Sequence, residues 1–284
     1  MTMDAVTRRR RGPATLPVYA CLAVLIAYAI LPFLWMLSTS LKPTPEIRTT
    51  HPSFIPSRID WSHFALVIRE SNFLHYIRNS LLVAGSVTLT TLIVATMAGY
   101  AFSRFRRLPG ISIAGVGLLV GQMVPSVLLI VPLYITMNSL GLLDSFWSLI
   151  ITYTTFTVPL SALMLKGFFD QVPVEIEDAA QIDGCPAWQV VWRVVLPLSL
   201  PGLMTTALYA FVQAWNEFLF SYTFISSDDR RTLTPGMADF IGMWTVDWGA
   251  LMAAAVLGVL PVTLAYLYLQ RYLIAGLTTG ATKG

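Results

Sequence analysis

Six long apolar runs, at roughly 18–41, 79–102, 111–137, 146–168, 201–224 and 249–274, dominate this chain of 284 residues. Each is long enough to cross a bilayer as a helix, which takes ~20 residues. The runs are continuous and do not alternate, so they do not read as barrel strands. A helix in lipid satisfies its own backbone hydrogen bonds, which is the main structural demand of that solvent. Composition agrees: the chain is 56% hydrophobic and only 12% charged, about half the charge of a soluble domain. The expected fold is an all-α integral membrane protein with six transmembrane helices.

Several function classes recede at once. A net charge of +3 with scattered arginines leaves no electrostatic footprint for nucleic acid. Cys21 and Cys185 form neither a disulfide framework nor a metal motif. His51, His63 and His75 are too far apart for one helical face and read as solvated loop residues rather than metal ligands. No G-x-x-x-x-G-K-[ST] is present to cradle ATP phosphates. No nucleophile–base constellation suggests catalysis.

Arg8–Arg11 precede the first run, and Ala27-Tyr28-Ala29 within it has the small-residue pattern of a signal-peptide cleavage site. The run continues well past Ala29 to the length of a span. We therefore read residues 1–17 as a cytoplasmic tail, and 18–41 as an uncleaved first helix. Arg104, Arg106 and Arg107 follow the second run and agree with a cytoplasmic N-terminus. Six spans then return the C-terminus, with Arg271 and Lys283, to the same side. The outer loop 42–78 carries Lys42, Arg48, Arg58, Arg69 and Arg78, which weakens the signal, so the orientation rests on the compact arginine clusters. That loop mixes Pro, Trp and Phe and reads as a structured cap at the membrane surface. Trp244 and Trp248, before the last run, suit an interfacial anchor.

The anomaly is VEIEDAAQIDG, residues 174–184. Glu175, Glu177, Asp178 and Asp183 fall within nine residues, and no Lys or Arg answers them until Arg193. Pro173 is a good first helical residue, because its missing N–H costs nothing there. Acids in the first turns favour the positive helix end, and Gly184 suits the left-handed stop. On a wheel, Ile176, Ala179 and Ala180 share a small apolar side, opposite Glu177, Asp178 and Gln181. Pro186 then opens a second helix that ends at Pro197. Acids resting on an anionic cytoplasmic leaflet are repelled. This helix, in the loop 170–200 between spans four and five, therefore reads as a plug for an arginine-bearing socket on another protein.

Glu217 is the one acid deep within an apolar run, where insertion costs ~2.5–3.5 kcal/mol. It must face a polar interior or lie near a helix end. Trp215, Asn216 and Glu217 together offer an aromatic face, an amide and a carboxylate, a mixture that suits sugars. The alternative is that Glu217 pairs with a neighbouring helix and only holds the bundle together. Prolines 32, 125, 132, 159 and 261 interrupt spans and tend to kink them. Gln122 lies beside the first of a close pair, where freed carbonyls can face a cavity. Tyr153 and Tyr134 are weaker pathway candidates, and Lys166 reads as a snorkelling residue.

The acidic stretch also carries a resemblance. It is similar to the cytoplasmic "EAA" loop of the inner-membrane permeases of binding-protein-dependent ABC importers. That pattern is Glu-Ala-Ala, three residues, Gly, nine residues, Ile, any residue, Leu-Pro. Here Asp178-Ala179-Ala180, Gly184, Val194 and Leu196-Pro197 keep the spacing, with Asp for Glu and Val for Ile. ILPFLWMLSTSLKP, YIRNSLLVA, AGYAFSRFRR, FVQAWNEFLFSYTFI and QRYLIAGLTTGATKG resemble the maltose-type carbohydrate branch of the same family over residues 18–284. The resemblance implies a six-span permease paired with a second, related permease in a bacterial or archaeal inner membrane. It implies two copies of an ATP-binding subunit, which would hold ATP and Mg, and an extracytoplasmic sugar-binding protein. This chain would bind no cofactor. Glu177, Asp178, Ala179, Ala180, Asp183 and Gly184 would dock into a cleft of the ATPase. The cargo would be a di- or oligosaccharide. Alternatives are an ABC permease for glycerol phosphate, amino acids or peptides, or an ion-coupled secondary transporter with Glu217 as its coupling site.

Overall fold

The computed structural model describes residues 15–242 and 245–281. Arg8–Arg11, Trp244 and Lys283 lie outside them. Among the described residues the regular structure is helical apart from one bridge between Ile241 and Val246. The helices that matter below are α1 (Thr15–Ser40), α2 (Phe73–Arg104), α3 (Ile111–Gln122), α4 (Ile130–Ser139), α5 (Phe146–Phe169), α6 (Val174–Ile182), α7 (Leu200–Asn216), α8 (Leu219–Phe224) and α9 (Trp248–Ala281). Four stretches are each long and apolar enough to cross a membrane: Pro17–Ser40, Phe73–Arg104, Phe146–Phe169 and Trp248–Arg271. Two bent pairs, Ile111–Gln122 with Ser126–Ser139 and Ala187–Leu198 with Leu200–Asn216, raise the number to six if each pair is one span.

Two of the expected straight spans are broken. The run 111–137 turns by 94° between its halves. Pro125 supplies the reason: it has no N–H to donate, and its ring drives the preceding residue out of helical geometry. Pro132 falls in the first turn of α4, where a donor is not needed, and adds no second break. The run 201–224 stops at Asn216. Glu217 is extended (φ −70°, ψ 129°), and a helix resumes at Leu219.

The bundle is organised around a close seam between α2 and α5. Thr91 and Thr157 hydroxyls meet at 2.7 Å, and Thr90 and Thr154 at 2.8 Å. A Cβ added to Gly99 would lie 2.8 Å from the Ala162 carbonyl. Small and hydroxyl residues are what lets membrane helices approach this closely, because lipid provides no hydrophobic drive between them. α7 packs against the same pair, with Gly202 so tight on Phe168 that a Cβ would meet the ring at 2.4 Å. α9 closes the bundle, and α1 lies along α9. The apolar face of α1 is otherwise uncovered.

Between α1 and α2 the chain forms short helical turns at Thr44–Ile47 and Ser62–Ala65. His63 is not the solvated loop residue expected: it is 5% exposed, with Nε2 3.0 Å from the Lys42 carbonyl oxygen. It is buried because Gly249 of α9 leaves room for its ring. His75 likewise has a partner, the Asp229 carbonyl at 2.9 Å. The 225–242 segment is bolted to α2: Asn79 Nδ2 donates to the Asp229 and Arg231 carbonyls, both at 2.9 Å, and the Tyr76 hydroxyl donates to Asp228 at 2.6 Å.

Candidate functional site

The break after α7 is made by a side chain rather than by proline or glycine. Glu217 Oε1 accepts from the Phe220 N–H at 2.9 Å, and Oε2 from the Ser221 N–H at 3.2 Å. These are free donors at the start of α8, where a carboxylate is favoured by the helix dipole. The Tyr153 hydroxyl, from α5, donates to Oε2 as well. Thr234 donates to the Glu217 carbonyl, which the break leaves without a helical partner. The cost of an acid within an apolar run is thus offset by fixed donors.

Glu217, Tyr153 and Phe220 line a cavity of about 220 Å³ together with Ser126, Phe156, Thr157, Gln213 and Ala214. The Phe156 and Phe220 rings form one wall, stacked at 5.4 Å. The volume is below the roughly 300 Å³ of a usual small-molecule site. Of the expected pathway residues, Glu217 and Tyr153 come together here. Trp215 does not: it is 4% exposed, its Nε1 donates to the Gly258 carbonyl at 3.2 Å, and its ring stacks on Phe211 at 5.6 Å. It is core packing between α7 and α9. Asn216 is exposed and does not line the cavity. Gln122 is also exposed, at the end of α3, and Ser126 on the far side of the break lines the cavity instead. Tyr134 packs against Phe224 at 6.2 Å. Gln213 and Thr157 were missed, although Thr157 lies one helical turn from Tyr153 and Gln213 four residues before Glu217.

The acidic helix is α6. Pro173 precedes it rather than opening it. Gly184 closes it at φ +88°. The Cys185 N–H bonds to the Ala180 carbonyl and the Gly184 N–H to the Gln181 carbonyl, both at 3.0 Å, a Schellman stop. The face assignment needs one correction. Glu177 is turned inward and is 3% exposed, while Ile176 and Ala179 face outward. Arg104, in the last turn of α2, explains it. Its Nη2 and Nε stand 2.5 and 2.7 Å from Glu177 Oε1, and the Tyr100 hydroxyl donates to Oε2 at 2.8 Å. Arg104 Nη2 also donates to the Val172 carbonyl at 2.9 Å. A charge-assisted pair with extra hydrogen bonds outweighs the burial of a small apolar side.

Asp170 forms a second brace between α5 and α2. It accepts from Ser103 at 2.6 Å and pairs with Lys166 at 2.7 Å and Arg106 at 2.5 Å. Lys166 is therefore an ion-pair partner as well as a residue near a span end. Burial pushes the Asp170 carboxyl up, but the bonds from Lys166, Ser103 and Arg106 prevail and hold it down at about 2. With these braces set, Asp178, Ala179, Gln181, Asp183 and Gly184 point away from the bundle, and Ala180 is half-buried. Ile182, Trp188 and Trp192 lie bare beside them, at 86%, 64% and 59% exposure. Among the described residues no group of three or more His, Cys, Asp or Glu could hold a metal ion.

Comparison with known proteins matches residues 92–279 to the family described as binding-protein-dependent transport system inner membrane component. The inner membrane ABC transporter permease protein YcjP of Escherichia coli is 34% identical over 97% of this chain and 99% of its own length. The diacetylchitobiose uptake system permease protein DasC of Streptomyces coelicolor is 34% identical over 92% of this chain and 94% of its own. Among solved structures, a chain of a bacterial ABC transporter involved in the import of the acidic polysaccharide alginate superposes with a TM-score of 0.80. It is 21% identical and covers 95% of this chain and 99% of that one. The chain belongs to the family of inner membrane components of binding-protein-dependent transport systems.

Proposed function

We propose that this chain is one of two permease subunits of an ATP-driven importer for a di- or oligosaccharide. The observation that carries the reading is α6: a short helix braced to α2 from behind, presenting Asp178 and Asp183 beside bare Ile182, Trp188 and Trp192. Acids next to exposed aromatic side chains suit a protein socket with arginines and an apolar floor. In this reading 170–200 is a cytoplasmic coupling loop, 42–78 an outer cap and 1–17 a cytoplasmic tail. Both termini lie inside, and each bent helix pair counts as one of six spans across 18–284. The docking contacts come from Asp178, Ala179, Ala180, Asp183 and Gly184. Glu177 acts as the strut behind them. Two ATP-binding subunits hold ATP and Mg, a second permease completes the pathway, and an extracytoplasmic binding protein delivers the sugar. The chain itself binds no cofactor and makes or breaks no covalent bond.

A carbohydrate cargo is supported by the name of the Streptomyces relative. It is also supported by a cavity that mixes stacked rings with Gln213, Thr157 and Ser126, which suits sugar ring faces and hydroxyls. Proton coupling through Glu217 is less well supported, because its carboxylate is taken up in capping α8. Asp178→Lys and Gly184→Val, each in the reconstituted complex, test the docking. Both are expected to abolish sugar uptake while the chain stays in the membrane. Normal uptake by both variants would sink the coupling-helix reading.

A further inference from the structure

The charge of Glu217 is more than its bonds require. Neutral side-chain oxygens cap helix starts as well as carboxylates do, and two of its three donors are the backbone N–H groups at the start of α8. The third is the Tyr153 hydroxyl. All three donors are neutral. They satisfy the oxygens and leave one full negative charge in the wall of the cavity of about 220 Å³. Among the described residues lining that cavity there is no Lys, Arg or His to answer it. The cations on neighbouring segments are engaged elsewhere. Lys166 of α5 pairs with Asp170 at 2.7 Å, Arg230 beyond α8 stands 3.9 Å from Asp144, and Arg231 pairs with Asp239 at 2.8 Å. Ser126 and Gln213, the neutral polar groups of the lining, are exposed on this chain.

A solute in this cavity meets two stacked rings, a hydroxyl, an amide and one negative charge. An uncharged sugar suits the rings, the hydroxyl and the amide, and feels no net force from the charge. A carboxylate, sulfonate or phosphate on the sugar meets like-charge repulsion, between low-dielectric walls that focus the field. We infer that Glu217 is an anion filter: this chain's part of the path passes uncharged sugars and rejects uronates, sulfonated sugars and sugar phosphates. The inference rests on the importer reading above and narrows its cargo. A glutamate that served only as a cap would have its charge screened from the cavity, and the cavity would be indifferent to the charge of a probe.

The test uses the full chain in phosphatidylcholine nanodiscs, whose headgroups add no net charge. Cys21→Ala and Cys185→Ala leave a Ser126→Cys thiol as the sole reporter. It is reacted with methanethiosulfonates bearing a neutral hydroxyethyl or an anionic ethylsulfonate tail, each rate divided by that for free β-mercaptoethanol. The neutral reagent is expected to be favoured about tenfold, the repulsion of like charges about 6 Å apart at an effective dielectric of about 40. Glu217→Gln, which keeps an oxygen for the α8 N–H groups, should bring the ratio close to one. Because Glu217 also holds the break, a second variant decides independently. Gln213→Lys, at an exposed position, places a cation in the cavity and should also bring the ratio close to one. Equal rates for the two reagents without these variants, or a tenfold preference that persists in both, would overturn the filter. The reconstituted importer is then offered matched pairs of neutral disaccharides and their uronates. A uronate carried as fast as its neutral partner would overturn the filter and leave the importer reading standing. A tenfold reagent preference with no sugar carried at all would retain the filter and remove the importer reading.

Discussion

Glu177 offers the most direct perturbation. Replacing it by glutamine keeps the shape of the side chain and removes its charge, leaving the Arg104 guanidinium, 12% exposed, without a counter-ion. Breaking a buried pair from one side costs about 3–5 kcal/mol. Arg104 keeps the Val172 carbonyl and the Ser103 hydroxyl as acceptors, which argues for the lower end, about 3 kcal/mol. α6 has only nine residues and is marginal without packing, so the cost appears as local opening rather than global unfolding. At about 1.4 kcal/mol per decade, the open population rises roughly 150-fold. Hydrogen exchange with mass spectrometry, on the chain in nanodiscs, should show residues 174–182 losing about two decades of protection while α9 stays unchanged. Arg104→Met with Glu177→Leu removes both charges and should restore protection to within about tenfold. Asp178→Asn, at an exposed position, should leave exchange as it is. Wild-type exchange in Glu177→Gln, or equal effects at Glu177 and Asp178, would refute the strut.

Three further outcomes follow from the packing and electrostatics. Gly202→Ala should destabilise the chain by about 1–3 kcal/mol through overpacking, because its Cβ would overlap Phe168, and Phe168→Ala should rescue part of that loss in thermal unfolding. Asp170, held at about 2 in the fold against about 3.9 unfolded, contributes stability that is complete above pH 4 and is lost as pH falls through 2. At 23% side-chain exposure this amounts to at most about 2 kcal/mol, so the stability gap between wild type and Asp170→Asn should close over that window, and a pH-independent gap would count against the brace. Tyr153→Phe removes one of three donors to Glu217 and should raise the half-saturating sugar concentration for uptake about tenfold without changing ATP turnover per sugar imported.

The apolar runs were legible because bilayer thickness sets their length, and α2, α5 and α9 begin within a few residues of where composition changes. The stop at Gly184 was legible too, since only a residue tolerant of positive φ closes a helix that way. The break at Pro125 was marked by its residue type, though the angle was not. The break at Glu217 carries no such mark. Its donors come from Tyr153 and from residues after the break, and no local pattern announces them. Glu177 was misplaced because a wheel knows hydrophobicity and not the location of Arg104, 73 residues away in sequence. Trp215 was misread for a simpler reason. On the continuous helix that the sequence predicts, residues two apart point about 200° apart, which already set Trp215 on the face opposite Glu217.

The two sites stand on one seam, and this bears on how the proposed importer moves. Arg104 and Tyr100, which grip α6, belong to α2. Tyr153, which grips Glu217, belongs to α5. Between them the helices are locked by the Thr90–Thr154 and Thr91–Thr157 bonds and by the contact at Gly99. From Arg104 to Thr90 is about 20 Å of helix, too stiff to absorb a displacement along its axis. The soft elements lie elsewhere. α3 and α4 meet at a proline break, and α7 and α8 meet at a break held by the side chain of Glu217. In the proposed importer a push on α6 would move α2 and α5 as a body, and the angle would change where helix ends meet around the cavity, at Glu217 and at Pro125. On that proposal the carboxylate lies at a hinge. Its capping bonds would then have to survive the motion or be remade within it, which is a stricter demand on Glu217 than contact with a sugar.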